Sequence, residues 1–170
     1  PQYVPASHHR LIAEKLEAVE CGEIDRLMIN MPPRHGKSEL ASRRFPAWFL
    51  GRHPSKSVIA ASYNSDLATD FGRQVRNVLA TEEYRQLFGT ALADDSRAAN
   101  RWNTAEGGGY VAAGVGTAIT GRGADILLID DPLKDREEAD KAAAESAAKF
   151  AATVAKIVAD MEYARPVDFV

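Results

Sequence analysis

The chain has 170 residues, 45% hydrophobic and 26% charged, with a formal net charge of −3. That length suits one domain with one core, and the composition is that of a globular protein and not of a disordered one. A single cysteine, Cys21, excludes an internal disulfide, no apolar run approaches membrane-spanning length, and the charge does not advertise nucleic acid, although a local basic groove can sit in an acidic chain.

The first ten residues, PQYVPASHHR, start at Pro1 and not Met and lack the apolar core of a signal peptide, so a fragment or processed product is expected. Ser7 is expected to cap a helix running to about Cys21, with Ile12, Leu16 and Val19 on one face and Gly22 as its stop. RLMIN, residues 26–30, reads as a short buried strand. A helix is expected from Ser38, kinked or restarted at Pro46. SVIAAS, residues 57–62, reads as a second buried strand. A helix from about Asn64 to Ala80 sets Leu67, Phe71, Val75 and Val78 at helical spacing. TEEYRQLF reads as a further short helix, and RWNT and GYVAAG, joined by AEGGG, as a hairpin. DILLID, residues 125–130, is a third buried strand. Apolar strands alternating with helices imply an α/β fold, a mainly parallel sheet covered by helices on both faces. From Asp135 the chain is rich in alanine and free of glycine, and Phe150, Val154, Ile157, Val158 and Met161 share one helical face. The expected organisation is a domain over 1–134 and a helical tail over 135–170, packed on the domain or on a neighbour.

The stretch NMPPRHGKSEL, residues 30–40, ends as a phosphate-binding loop ends. Such a loop needs inward-pointing backbone N–H groups, a lysine for the terminal phosphates and a hydroxyl for magnesium. Gly36 permits close backbone approach, Lys37 supplies the charge and Ser38 the hydroxyl, at the start of a helix whose dipole favours phosphate. The usual opening glycine falls at Met31, so the strict pattern fails. Pro32 and Pro33 can shape the loop instead, and Arg34 adds a second cation. The expected nucleotide contacts are Pro33, Arg34, His35, Gly36, Lys37, Ser38 and Glu39. ADILLIDDP supplies the second element, an apolar strand ending in two carboxylates, as a Walker B segment does. Asp130 would hold the magnesium ion through water and Asp131 would polarise the attacking water. The ligands implied are ATP and Mg2+.

INMPPRHGKSE, ASYNSDLATDFGRQVR, EEYRQLF and GVGTAITGRGADILLIDDPLKDREEAD together resemble the ATPase domain of phage terminase large subunits, collinearly over residues 3–140. The resemblance implies a P-loop NTPase with additional strands and a catalytic carboxylate. It implies a motor hydrolysing ATP to package double-stranded DNA into procapsids. A small terminase subunit and a portal protein would be partners, a homo-oligomer the active form, and the host cytoplasm the setting, with no membrane. It makes Arg34 a phosphate-contacting arginine in cis. Arg122, between two glycines in TGRGAD, would complete a neighbouring subunit's site, with Arg101 the competitor. The family continues into a coupling motif and a nuclease domain; neither is read in this chain, so a truncated terminase without nuclease activity is expected. A helicase-like DNA-dependent ATPase and a non-hydrolysing prophage remnant are the alternatives.

Tyr3, His8 and His9 precede the first strand, where related motors contact adenine, so base stacking and a plain helix start both fit. Arg43, Arg44, Arg52 and Lys56 form a basic stretch that suits a solvated face or DNA backbone contact. Ser62 and Tyr63 are candidates for DNA contact, and Trp48 and Trp102 are read as core.

Overall fold

The computed structural model describes residues 4–96, 98–114 and 123–131, together with the backbone of 165–168. Helix α1 spans Ser7–Cys21 and buries Ile12, Leu16 and Val19, the face its spacing predicts. Its capping position is Ala6 and not Ser7; the Ala6 N–H donates to His9 Nδ1 at 3.2 Å. Gly22 ends it in the left-handed conformation at φ 79°, which glycine adopts without a Cβ penalty.

Residues 26–30 do not form the expected strand; they carry no ladder pairing. Ile29 is buried there, and Leu27 and Met31 pack against the core. A short apolar run meets the burial demand of a strand without guaranteeing a partner. Pro32 and Pro33, which follow, have no N–H to extend a ladder.

A helical turn opens at Lys37 and continues as a π-helix over Glu39–Arg44. Helix α2, Phe45–Arg52, follows directly. Pro46 sits in the first turn of α2, and an α-helix would need its missing N–H to reach the Ser42 carbonyl. The ladder instead shifts by one residue just before it. Leu40 N donates to Gly36 O at 3.0 Å in α register, while Phe45 N reaches Leu40 O in π register.

Strand β1 is Ser57–Ser62, and helix α3 is Ser65–Leu79, capped by Asn64 Oδ1 accepting from Leu67 N at 2.7 Å. Helix α4 is Glu82–Phe88, and β2 (Arg101–Asn103) and β3 (Gly109–Gly114) form the antiparallel hairpin. Strand β4 is Ile126–Asp130. The sheet order is β2-β3-β1-β4-β5, with β3, β1, β4 and β5 mutually parallel along the order. Alternate residues of β1 and β4 divide between two cores. Val58, Ala60, Ile126 and Leu128 join α1, α2 and α3 on one face. Ile59, Ala61, Leu127 and Ile129 form the other. Strands buried on both faces account for their unbroken apolar sequences. Trp102 is fully buried, stacked on Tyr110, and its Nε1 donates to Gly72 O at 3.1 Å.

Strand β5, Arg165–Asp168, pairs parallel with β4, Ile126 beside Arg165 and Ile129 beside Asp168. These residues were expected to close the helical tail; they add to the sheet instead, on the flank of β4. Pro166 is compatible with a strand there because β5 is an edge among the described residues. The expected helix over 135–164 and its stripe from Phe150 to Met161 lie outside the described residues, as do Tyr3 and Arg122.

Candidate active site

The parallel pairing of β1 with β4 sets Ser62 beside Asp130 at the C-terminal end of the sheet. Asp130 is buried, and Asp131, the next residue, is exposed. Asp131 has φ 45° and Arg34 φ 64°, the two positive-φ residues other than glycine in the described chain. Such backbone strain persists only where surroundings hold it, and it gathers at functional sites. The Tyr63 N–H donates to Asp131 O at 3.1 Å and helps hold that turn.

The loop meets this strand end through Lys37. Its Nζ donates to Asp131 Oδ1 at 2.6 Å and lies 3.2 Å from Asp130 Oδ1. Burial pulls the Lys37 ammonium down. The bond to Asp131 and the charges of Asp130 and Asp131 outweigh that, so its pKa lies above the ordinary lysine value. Ser42, on the π-helix, donates Oγ–H to Asp130 Oδ2 at 2.7 Å, with both groups buried. Asp130 Oδ1 is left buried without a hydrogen bond, its approach to Lys37 being an ion pair alone. Ser38 is half-buried in the first turn and bonds neither carboxylate.

Gly36 has φ 89°, and a Cβ there would stand 2.9 Å from His9 Nε2. His9 Nε2 itself donates to His35 O at 3.1 Å, and His35 Nδ1 donates to Pro33 O at 2.8 Å, so the loop is braced from α1 and from within. Glu39 accepts from Arg43 and Arg44 at 2.8 Å each. Burial raises the Glu39 pKa, but those two bonds and their charges leave it below the ordinary carboxylate value. Beside the loop lies a cavity of about 790 Å³ lined by His8, His9, Arg34, His35, Glu39 and Arg44, among others. Lys37, Asp130 and Asp131 do not line it.

The structure thus brings together Lys37, Asp130 and Asp131, and gathers Arg34, His35, Gly36 and Glu39 with His8 and His9 around the adjoining cavity. It does not bring Arg101 to them; β2 stands three strands from β4, roughly 14 Å at the usual strand spacing. Ser62 is fully buried and cannot meet DNA by its side chain; Tyr63 is half-buried. The basic stretch is paired with carboxylates, one adjoining it and two distant in sequence. Arg43 and Arg44 pair with Glu39, Arg52 with Glu20, and Lys56 with Asp125 at 3.6 Å. Ser42 was missed because a serine between Ala41 and Arg43 reads as helix filler; its only signal is a small hydroxyl where Ala41 and Phe45 mark a buried face.

The residues fit a magnesium ion in one respect: Asp130 Oδ1 is a buried anionic oxygen lacking a hydrogen bond. Among the described residues no group of three or more His, Cys, Asp or Glu side chains can hold a metal by itself. Magnesium commonly takes one or two carboxylates plus substrate phosphates, so a single carboxylate beside a phosphate loop is consistent with it. No helix of the described residues is long and apolar enough to cross a membrane.

No curated protein matches the chain. A family model described as terminase large subunit, T4likevirus-type, N-terminal, matches residues 28–158. That span takes in the loop, the π-helix and the strand that ends in the two carboxylates. The chain belongs to the terminase large subunit family and represents its N-terminal, ATPase region, which implies a DNA-packaging motor.

Proposed function

We propose that this chain is a P-loop ATPase that hydrolyses ATP to ADP and phosphate by in-line attack of water, and that the hydrolysis drives double-stranded DNA into a procapsid. The observation that carries the reading is the meeting of Lys37 with Asp130 and Asp131 at one strand end. Phosphoryl transfer demands mainly positioning and charge stabilisation, and these residue types supply both. Lys37 and Arg34 neutralise the phosphates, and the backbone around Gly36 receives them. Ser38 and Asp130 would hold the magnesium ion, which when bound spreads the charge building on the transferred group. Asp131, exposed at the strand end, orients the attacking water. The cavity beside the loop takes the nucleoside; His8 Nε2, buried there without a hydrogen bond, suits a base edge.

Arg122 completes the site of an adjacent subunit, with Arg101, exposed on β2 and three strands from β4, as the other candidate. The active form is a homo-oligomer working with a small subunit and a portal in the host cytoplasm.

The test is calorimetric binding of MgATP and phosphate release, with and without double-stranded DNA, by the parent chain and Lys37→Ala. Binding lost in Lys37→Ala, with the melting profile kept, supports the site. Equal affinity in both overturns it. Tight binding with no turnover in any assembled state would favour a nucleotide-binding module without hydrolysis.

A further inference from the structure

We propose that Ser42 is a positioning residue for Asp130, and that the π-helix exists to deliver it. The inference rests on the reading of Asp130 as the carboxylate that faces magnesium. Three observations converge. Ser42 Oγ donates to Asp130 Oδ2 at 2.7 Å across 88 residues of chain, and Ser42 is only 2% exposed. Asp130 Oδ1 is buried and has no hydrogen bond. Ser38, the hydroxyl at the usual position in such a loop, makes no hydrogen bond to Asp130, whose Oδ2 is taken by Ser42.

Asp130 Oδ2 is therefore anchored by Ser42, while Oδ1 faces the site, where its close partner is the Lys37 ammonium at 3.2 Å. Rotation about the last side-chain torsion of an aspartate is soft, and only a fixed partner on one oxygen sets where the second points. Ser42 supplies that partner. Removing a group that orients a metal-binding carboxylate in this way typically costs about 10–100-fold in metal affinity.

The local helix type explains how Ser42 reaches the site. Five residues separate Lys37 from Ser42, and both contact Asp130. In an α-helix, at about 100° per residue, that separation would set them roughly 140° apart, on different faces. The wider winding over Glu39–Arg44 turns them closer to one face. π-helical turns are rare and recur at functional sites. Pro46, which withholds the N–H that would close an α turn on Ser42, is the sequence feature that favours the shift.

The experiment uses the full chain with Ser42→Ala, Ser42→Thr and Ser42→Cys. ADP binding is measured by calorimetry in excess magnesium and in EDTA, and Mn2+ binding to the ADP complex by paramagnetic resonance. Ser42→Ala should weaken Mn2+ binding about tenfold to hundredfold and leave EDTA binding within about twofold. Ser42→Thr, which restores the hydroxyl, should recover most of it. If Ser42→Ala fails to fold, Ser42→Cys, similar in shape with a weak donor, should show the same loss in smaller measure. Unchanged Mn2+ affinity in the Ala or Cys variant overturns the proposal. So does an equal loss with and without metal, which is the mark of a merely structural serine. Failure of the parent chain to bind ADP would instead overturn the nucleotide-site reading, and this inference with it.

Discussion

Lys37 and Asp131 are 94 residues apart in the chain and 2.6 Å apart in the fold. The ammonium that would meet a phosphate is thus already held by a carboxylate, and an entering nucleotide must draw it away. Asp131 is 58% exposed, so the pair is worth only about 0.2–1 kcal/mol. Asp131→Asn should bind MgATP as well as the parent, or up to about fivefold more tightly. Asparagine also tolerates the positive φ at this position. Turnover should fall by about 10²-fold or more if Asp131 orients the attacking water. Calorimetry and phosphate release on one preparation check both halves; weaker binding in the variant would contradict the competition.

Gly36→Ala should impair the loop twice over. Its φ of 89° disfavours any side chain, by about 1–2 kcal/mol on the left-handed penalty. Its new Cβ would also press on His9 Nε2 at 2.9 Å and disturb the bond to His35 O. The expected result is a lower melting temperature and loss of measurable ATP binding. A variant that melts and binds as the parent does would show that the loop is less confined than its geometry indicates.

Glu20 ties α1 to the end of α2, accepting from Arg52 Nε and His53 Nε2 at 2.7 Å each. Its side chain is 4% exposed. Burial raises its pKa, but the bonds from Arg52, His53 and Cys21 prevail and leave it below the ordinary carboxylate value. A depressed folded-state pKa gives stability that is present above the unfolded value and lost as pH falls through the folded one. Urea midpoints of the parent should therefore drop as pH is lowered below about 4.5. Glu20→Gln should cost about 1–2 kcal/mol at pH 7 and show a shallower fall in that acid range. Parallel acid profiles for the two chains would assign the pH dependence to other carboxylates.

Turnover by the isolated chain should be slow and should rise faster than linearly with protein concentration. Arginine fingers contribute about 10³–10⁵ in rate, and one acting in trans is missing from a monomer. That is roughly 4–7 kcal/mol of barrier. Arg122→Ala and Asp131→Asn should each be inactive alone, yet their mixture should regain activity, because one supplies the arginine and the other the carboxylate. Fast turnover by a demonstrated monomer would place the finger in cis or make it unnecessary.

Where burial alone decides structure, the sequence was legible. SVIAAS became β1 over its whole length, and all but the first residue of DILLID became β4, because continuous apolar runs suit strands covered on both faces. Gly22 and Asn64 acted as helix punctuation for stereochemical reasons that need no tertiary context. What failed depended on partners. Residues 26–30 bury Ile29 without a ladder, and pairing cannot be read from apolar content. Strand β5 was hidden by the alanine-rich stretch before it, although Val167 and the absence of alanine after Ala164 signal the change. In the candidate site, the meeting of Lys37 with Asp130 and Asp131 follows from placing a loop lysine and two carboxylates at one end of a parallel sheet; their chemical roles are the proposal made above. Ser42 was not legible, because its role depends on a local winding that Pro46 favours but no short pattern announces.

Helix α1 is fastened at both ends to one neighbour. Near its start His9 grips the phosphate loop at His35, and near its end Glu20 grips Arg52 and His53. Between them lie ten residues of helix, about 16 Å from one grip to the other. Loop, winding helix and α1 are therefore tied into one circuit, which gives a displacement of the loop a route along α1 to its far end. There Cys21 is exposed and is the chain's single thiol. A fluorophore on Cys21 would report nucleotide arrival from a helix length away without any engineered cysteine.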